Sequence, residues 1–480
     1  MKVPGIPLAV RLRVSAAAWA SSLALSCMGL TLAATAASGF AAEPARVSSL
    51  KDKARQDFPP APPVRTGPLS PAVTSALPQI ALALRNDRFP TAQLTVLAQS
   101  GDARLAWYLH DLLRFVPDRS SAQTLIAAFE TLTRAPLTRD PLTAMGDRVL
   151  AWDLPAPPGY RVMKRDLFLL IEPRWKPFFD DERSAIDWRH VGWGGVYIDD
   201  RPDATQGQPC PRGCIPALDQ PKATPAAEGS WYPDSAIVFG VLINGQARAY
   251  PKNMMEVHEM VNDTLGGRRI GMPYCTLCRS VQAYFTDRVI GFEPLLRTSG
   301  LLSRSNKFMY DVRTFSAIDT FTGKAISGPL HKAGVVLQQT TVVISTWGAW
   351  RKAHPDTTIL AEDGGVGRRY SNDPLRGRDD NGPIFPVGDV DPRLGVHDVV
   401  LGVTSANGEA LAFPRVAVQL ALKAGEVVSL RGVTVRADAD GLRAYVGDTE
   451  TPSHEAFWFA WSQFKRGTLL WERGRGRDGQ

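Results

Sequence analysis

Cysteine is scarce: five residues in a chain of 480. That excludes a small disulfide-framed scaffold, and a chain of this length buries a large core without staples. Long apolar runs are also missing, apart from one at the N-terminus, where no charge occurs between Arg13 and Glu43. The net charge of +7 is small for the length, and no basic stripe with interleaved aromatics appears. A nucleic-acid-binding surface is thereby excluded. No Gly-x-Ser-x-Gly elbow frames a serine nucleophile, and no Cys-x-x-Cys-His run marks a haem attachment. The glycines of GGVGRR do not open a helix after a clear strand, which argues against a phosphate cradle. Asp199, Asp200 and Asp203 in YIDDRPD lack the glycine and terminal glutamate of a calcium loop, so the run reads as a solvated turn.

What is present begins with the N-terminus. Lys2, Arg11 and Arg13 precede a stretch rich in alanine, serine and leucine, which ends in the small residues Gly39 and Ala41. A basic start, an apolar middle and a small-residue cleavage zone are the layout of a secretory signal. Residues 1–42 are read as that signal, with export to the periplasm or beyond. The competing reading is a retained N-terminal membrane anchor, since the uncharged span is long enough to cross a bilayer. After signal removal no transmembrane segment is expected.

Residues 43–69, rich in proline, read as a linker. From 70 to 149 apolar residues recur at helical spacing, as in Leu105, Leu109, Leu112, Leu113 and Val116 behind Asp102 as an N-cap. Leu125, Phe129 and Leu132 repeat the pattern. From 150 to 465 the texture is β-branched runs between Gly, Asn and Asp turns, followed by a polar basic tail, 466–480. The fold class is α+β: a helical region, then a large β-rich domain. Within that domain IVFGVLINGQARAYP and VVLGVTSANGEALAFP each read as strand, Asn-Gly turn, strand and closing proline. The match suggests a duplicated hairpin module. The aromatic runs WGAWRKAH and FWFAW read as core packing, with Trp458 and Trp461 on a helix that closes the domain.

The motifs IDWRHVGWGGVYIDDRP, CIPALDQP, FGVLINGQARAYP, VHEMVND, YCTLC, MYDVRT and TWGAWRKAHPDT occur in one order. In that order and spacing residues 150–465 resemble the domain-of-unknown-function family 3179. The resemblance implies no established reaction. The family's usual cysteine motif resembles Tyr-Cys-Pro-Leu-Cys-Gly; Thr276 stands here for the proline and Arg279 for the glycine. The CPRGC pair departs from the family pattern, so the resemblance supports Cys275 and Cys278 more than Cys210 and Cys214.

Three states suit these cysteines. A thioredoxin-type couple needs its first cysteine at a helix N-terminus, whereas RSVQAYF after CTLC alternates like a strand. A metal knuckle would aim Cys275 and Cys278 at zinc or another thiolate-binding metal, with Cys210, Cys214 or His258 completing four ligands. The third state is a structural disulfide, within CTLC or across to CPRGC. His258 is a candidate ligand or proton carrier, since imidazole titrates near neutral pH. The functional expectation is therefore a cysteine-centred redox or metal site. The alternative is a non-catalytic envelope binding or scaffold protein whose cysteines only lock loops.

Overall fold

A computed structural model describes residues 58–474, except 138–139, 208–209, 211, 288, 290 and 378–382. The segment read as a signal, and the tail beyond 474, lie outside the described residues.

Helices α1 (Pro71–Arg85), α2 (Thr91–Gln99), α3 (Ala106–Leu112), α4 (Arg119–Thr133), α5 (Pro141–Trp152), α6 (Tyr160–Ile171) and α7 (Lys176–Asp180) come first. Asp102 caps a short 3₁₀ turn that runs into α3, and Asp118 caps α4 by accepting from Ser121 N. Leu105, Leu109, Leu112, Leu125, Phe129 and Leu132 fall in one buried core, as their spacing requires. Leu301, Phe308 and Tyr310 belong to that same core, so the helices pack directly on a sheet. The Trp175 indole fastens the two by donating to Ser299 O at 2.8 Å.

The strands are β1 (Val191–Trp193), β2 (Leu218–Asp219), β3 (Ala223–Pro225), β4 (Ile237–Ile243), β5 (Gln246–Pro251), β6 (Met260–Leu265), β7 (Arg268–Cys275) and β8 (Ser280–Val281). There follow β9 (Ala283–Phe285), β10 (Leu296–Ser303), β11 (Asn306–Asp311), β12 (Ser316–Asp319), β13 (Gln339–Thr340), β14 (Val343–Thr346) and β15 (Thr358–Leu360). The last are β16 (Val399–Thr404), β17 (Ala410–Pro414), β18 (Val428–Leu430), β19 (Val433–Asp438), β20 (Gly441–Val446), β21 (Thr449–Thr451), β22 (Ser453–Phe457) and β23 (Leu469–Leu470). Between them lie helices α8 (Lys252–His258), α9 (Gly328–Lys332), α10 (Trp347–Ala353), α11 (Arg415–Lys423) and α12 (Trp458–Phe464). The sheet orders are β1-β10-β11-β12, β13-β9-β7-β6-β2, β14-β4-β5-β15-β3, β22-β16-β17-β23 and β18-β19-β20-β21, with β8 on β7.

Two of these sheets repeat one plan. In the first, the β4–β5 hairpin runs through a proline into α8; β14 adds antiparallel to β4, α10 follows, and β15 returns parallel to β5. In the second, β16–β17 runs through a proline into α11; β22 adds antiparallel to β16, α12 follows, and β23 returns parallel to β17. The correspondence reaches single atoms. Gly240 and Gly402 each face a tryptophan, and a methyl on them would lie 2.4 Å from Trp350 and 1.9 Å from Trp461. The two indoles donate to Thr357 Oγ1 at 2.9 Å and Thr468 Oγ1 at 3.0 Å. Trp347 N and Trp458 N donate to Ala236 O and Asp398 O, the residues just before β4 and β16. The duplication visible in the hairpins thus extends to a second, distant piece of each copy.

Candidate functional site

CTLC lies in the segment inserted into the first copy, between α8 and β14. Strand β7 delivers Cys275, Thr276–Cys278 form one 3₁₀ turn, and β8 returns with Cys275 opposite Ser280. Arg279 closes the turn at φ +48°. A left-handed residue there is what glycine does at least cost, which explains the glycine of the family's usual motif. The strand reading of RSVQAYF holds, since β8 and β9 follow and no α-helix starts at Cys275, only the single 3₁₀ turn.

Both thiols are free and buried. Cys278 Sγ donates to Ser305 O at 3.1 Å, while Cys275 Sγ is 3.9 Å from the same carbonyl. The two sulfurs share the Ser305 carbonyl as neighbour and are close enough for Cys275 to influence the ionisation of Cys278. Burial, with the neighbouring Cys275 sulfur second, holds the Cys278 thiol well above its usual range. A thiol in that state is protonated and a poor nucleophile. On the other side, Glu259 ends α8 at φ +50°. Its Oε1 accepts from Thr276 Oγ1 at 3.0 Å, and its Oε2 lies 3.2 Å from Lys307 Nζ. The ammonium also donates to the carbonyls of Glu259 and Tyr274. Burial pulls the Lys307 ammonium below its usual range, and Glu259 and then Cys275 oppose that.

Behind the thiols lies a polar seam between this insertion and the second copy. Ser305 Oγ donates to Gln463 Oε1 at 3.3 Å, and Ser280 Oγ to Asn306 Oδ1 at 3.3 Å. Gln282 (both amide atoms), Asn306 Nδ2, Gln463 Nε2, Ser462 Oγ and both oxygens of Glu455 are buried with no hydrogen-bond partner among the described residues. Arg415 lies 3.5 Å from Glu455 as an ion-pair partner. Burial raises the Glu455 carboxyl above its usual range, against the pull of Arg415 and Arg279.

The remaining sequence candidates stand elsewhere. His258 Nδ1 donates to Pro216 O at 2.7 Å, which leaves Nε2 to accept from the Tyr370 hydroxyl at 2.7 Å. Burial lowers its pKa to about 4, so the ring is neutral with both nitrogens engaged. The helix ends at His258, and the left-handed turn at Glu259 sends the glutamate, not the histidine, toward CTLC. Cys210 and Cys214 form a disulfide with Cα atoms 5.3 Å apart. Their sulfurs and Asp199 are the one set of three His, Cys, Asp or Glu ligand atoms within 4.8 Å of one another among the described residues. That set contains none of Cys275, Cys278 and His258, so a four-cysteine centre is not assembled. Asp199 is itself occupied, accepting from Arg201 and from Ala217 N. The solvated-turn reading holds for Asp200 and Asp203, which are exposed, and is corrected for Asp199, which is fully buried because Arg201 and Arg297 neutralise it in the core.

Glu259, Lys307 and Ser305 were not singled out with the cysteines. Glu259 adjoins a named candidate, but nothing local marks a lysine or serine on another hairpin. Across the described residues no helix is long and apolar enough to cross a membrane. No curated protein and no solved structure matches the chain. One family model does, that of a protein of unknown function (DUF3179), over residues 212–447, a narrower span than the motif order suggested. Those residues include CTLC, Glu259 and Lys307, and over them the chain is similar to the DUF3179 family.

Proposed function

We propose that the chain is an exported protein whose DUF3179-like domain works through a buried redox dithiol, Cys275 and Cys278. One observation carries the reading: the two thiols are free, flank one 3₁₀ turn and face the same Ser305 carbonyl, while the other cysteine pair of the same chain is already a disulfide. Closing the pair forms one S–S bond and releases two protons and two electrons to an acceptor. Export is supported by the charge-free segment before Glu43 and by the Cys210–Cys214 disulfide. The metal reading has less support. A closed zinc site takes four ligands, and two thiolates alone suit only a soft metal.

The test is a thiol count on native protein, metal analysis of the same sample, and titration in buffers of defined thiol–disulfide potential. Two free thiols that close reversibly, with no stoichiometric metal, are expected. A bound metal held by both thiolates, or a pair that neither closes nor opens in the folded protein, would overturn the reading.

A further inference from the structure

We infer that Cys275 is the reacting thiol of the pair and Cys278 the resolving one, with Lys307 as the positioning residue that stabilises the Cys275 thiolate. This rests on the redox reading above and assigns its chemistry to particular atoms.

The asymmetry is geometric. The Glu259–Lys307 pair brackets the peptide Tyr274–Cys275–Thr276: Lys307 Nζ reaches Tyr274 O at 3.4 Å, and Glu259 Oε1 takes the Thr276 hydroxyl at 3.0 Å. A buried ammonium thus stands at the carbonyl that joins Tyr274 to Cys275, within electrostatic reach of the Cys275 sulfur, with only 6% of its side chain exposed and one carboxylate to balance it. Cys278 lies deeper, fully buried against 5% exposure for Cys275, and the Ser305 carbonyl stands 3.1 Å from its sulfur against 3.9 Å from that of Cys275. A carbonyl oxygen opposes a thiolate; an ammonium favours it. The charged and titratable groups facing Cys275 are Lys307 from β11, Glu259 from the end of α8 and Cys278 from the turn. Arg279, which closes the turn, acts electrostatically on Glu455 of the second copy.

Burial also selects the oxidant. A protein disulfide cannot reach a sulfur that is 5% exposed, whereas a small peroxide can. The Cys275 thiolate attacks one peroxide oxygen, the O–O bond breaks, and the departing hydroxide leaves as water with the proton given up by Cys275. The Cys278 sulfur then attacks the Cys275 sulfenic acid, the S–O bond breaks, and a second water leaves with the Cys278 proton. Two thiols and hydrogen peroxide become one disulfide and two waters.

The experiment uses the full mature chain carrying Cys278→Ser, so that Cys275 is the one free thiol. Its alkylation by iodoacetamide is followed by mass spectrometry across pH. Lys307→Met should move the midpoint of the profile upward and slow alkylation at neutral pH about tenfold, and Lys307→Arg should restore much of the rate. Glu259→Gln should act in the opposite sense, because it removes the competing anion, and it serves if Lys307→Met does not fold. Unchanged profiles in whichever of the two variants folds would overturn the assignment, as would modification of Cys278 before Cys275 in the wild-type protein. Peroxide closure of the wild-type pair, read as loss of two hydrogens in intact mass, tests the redox reading separately, since alkylation of a lone thiol requires no oxidation.

Discussion

The two copies of the hairpin module share a skeleton and differ in what they bury. In the first copy, strand β14 places Val343 opposite Gly240 and Ile344 opposite Phe239. At the same register in the second copy, β22 places His454 opposite Gly402 and Glu455 opposite Leu401. On the helices that follow, Arg351 and Lys352 of the first copy reach solvent or its edge, whereas Ser462 and Gln463 of the second are buried. The scaffold therefore does not require polar residues at these positions. The second copy carries them where it meets the insertion that holds CTLC. Buried polar groups cost stability unless paired, so their presence at this seam points to the site and not to the fold.

The largest effects should fall on what the copies have in common. Trp350→Ala and Trp461→Ala each remove a fully buried indole and should each cost about 3–5 kcal/mol, measured by denaturant unfolding. A silent result in either copy would break the equivalence. Acid should act on the two copies through different histidines, His258 at the end of α8 in the first and His454 on β22 in the second. Burial lowers the pKa of both, and His258, with the higher value, is protonated first in the folded chain. The folded ring binds its proton only near pH 4, against about 6.5 unfolded, so between those values the unfolded chain holds more protons. Stability from this group is complete above about pH 6.5 and is lost as pH falls to 4, on the order of 3 kcal/mol in all. His258→Asn should flatten that part of a pH–stability curve.

Smaller changes sharpen the comparison. Gly240→Ala and Gly402→Ala should each destabilise by roughly 1–3 kcal/mol through overpacking, read as a drop in Tm. The loss should be greater at Gly402, where the added methyl meets its tryptophan more closely. Glu455→Ile gives the second copy the residue that the first has at that register, and combined with Arg415→Met, so that no cation is left unpaired, it should raise stability by about 1 kcal/mol. If it unfolds the protein instead, Glu455 belongs to the scaffold and the contrast between the copies fails.

Much of this was legible in the sequence, for identifiable reasons. The helical region follows from leucines at helical spacing, and the hairpins from Asn244-Gly245 and Asn407-Gly408 between apolar strands. The match between the copies stopped short of α10 and α12, because Trp347 and Trp458 lie far along the chain from the hairpins they close. At the site, CTLC was visible as a motif, but its electrostatics come from Lys307 and Glu259, which only the pairing of β10 with β11 and the left-handed turn after His258 bring to it. Asp199 shows the reverse error. One aspartate of an otherwise hydrated acidic run is buried, because the fold supplies it with Arg201 and Arg297.

The interleaving of the copies also sets an order of events during synthesis. Strand β4 cannot complete its sheet until β14 and Trp350 have been made, and the intervening chain includes CTLC and the hairpin that carries Ser305 and Lys307. Gln463, which closes the seam behind the thiols, comes later still. Pairing strands across such a separation is slow, because loop closure comes before the contacts that reward it. Cys275 and Cys278 therefore pass through a stage in which they exist, are near each other in the chain and are not yet covered. Cys210 and Cys214, made earlier and joined across a short loop, can pair before that stage begins. Early closure of the first pair removes the two wrong partners that the second would otherwise meet while it waits for its core.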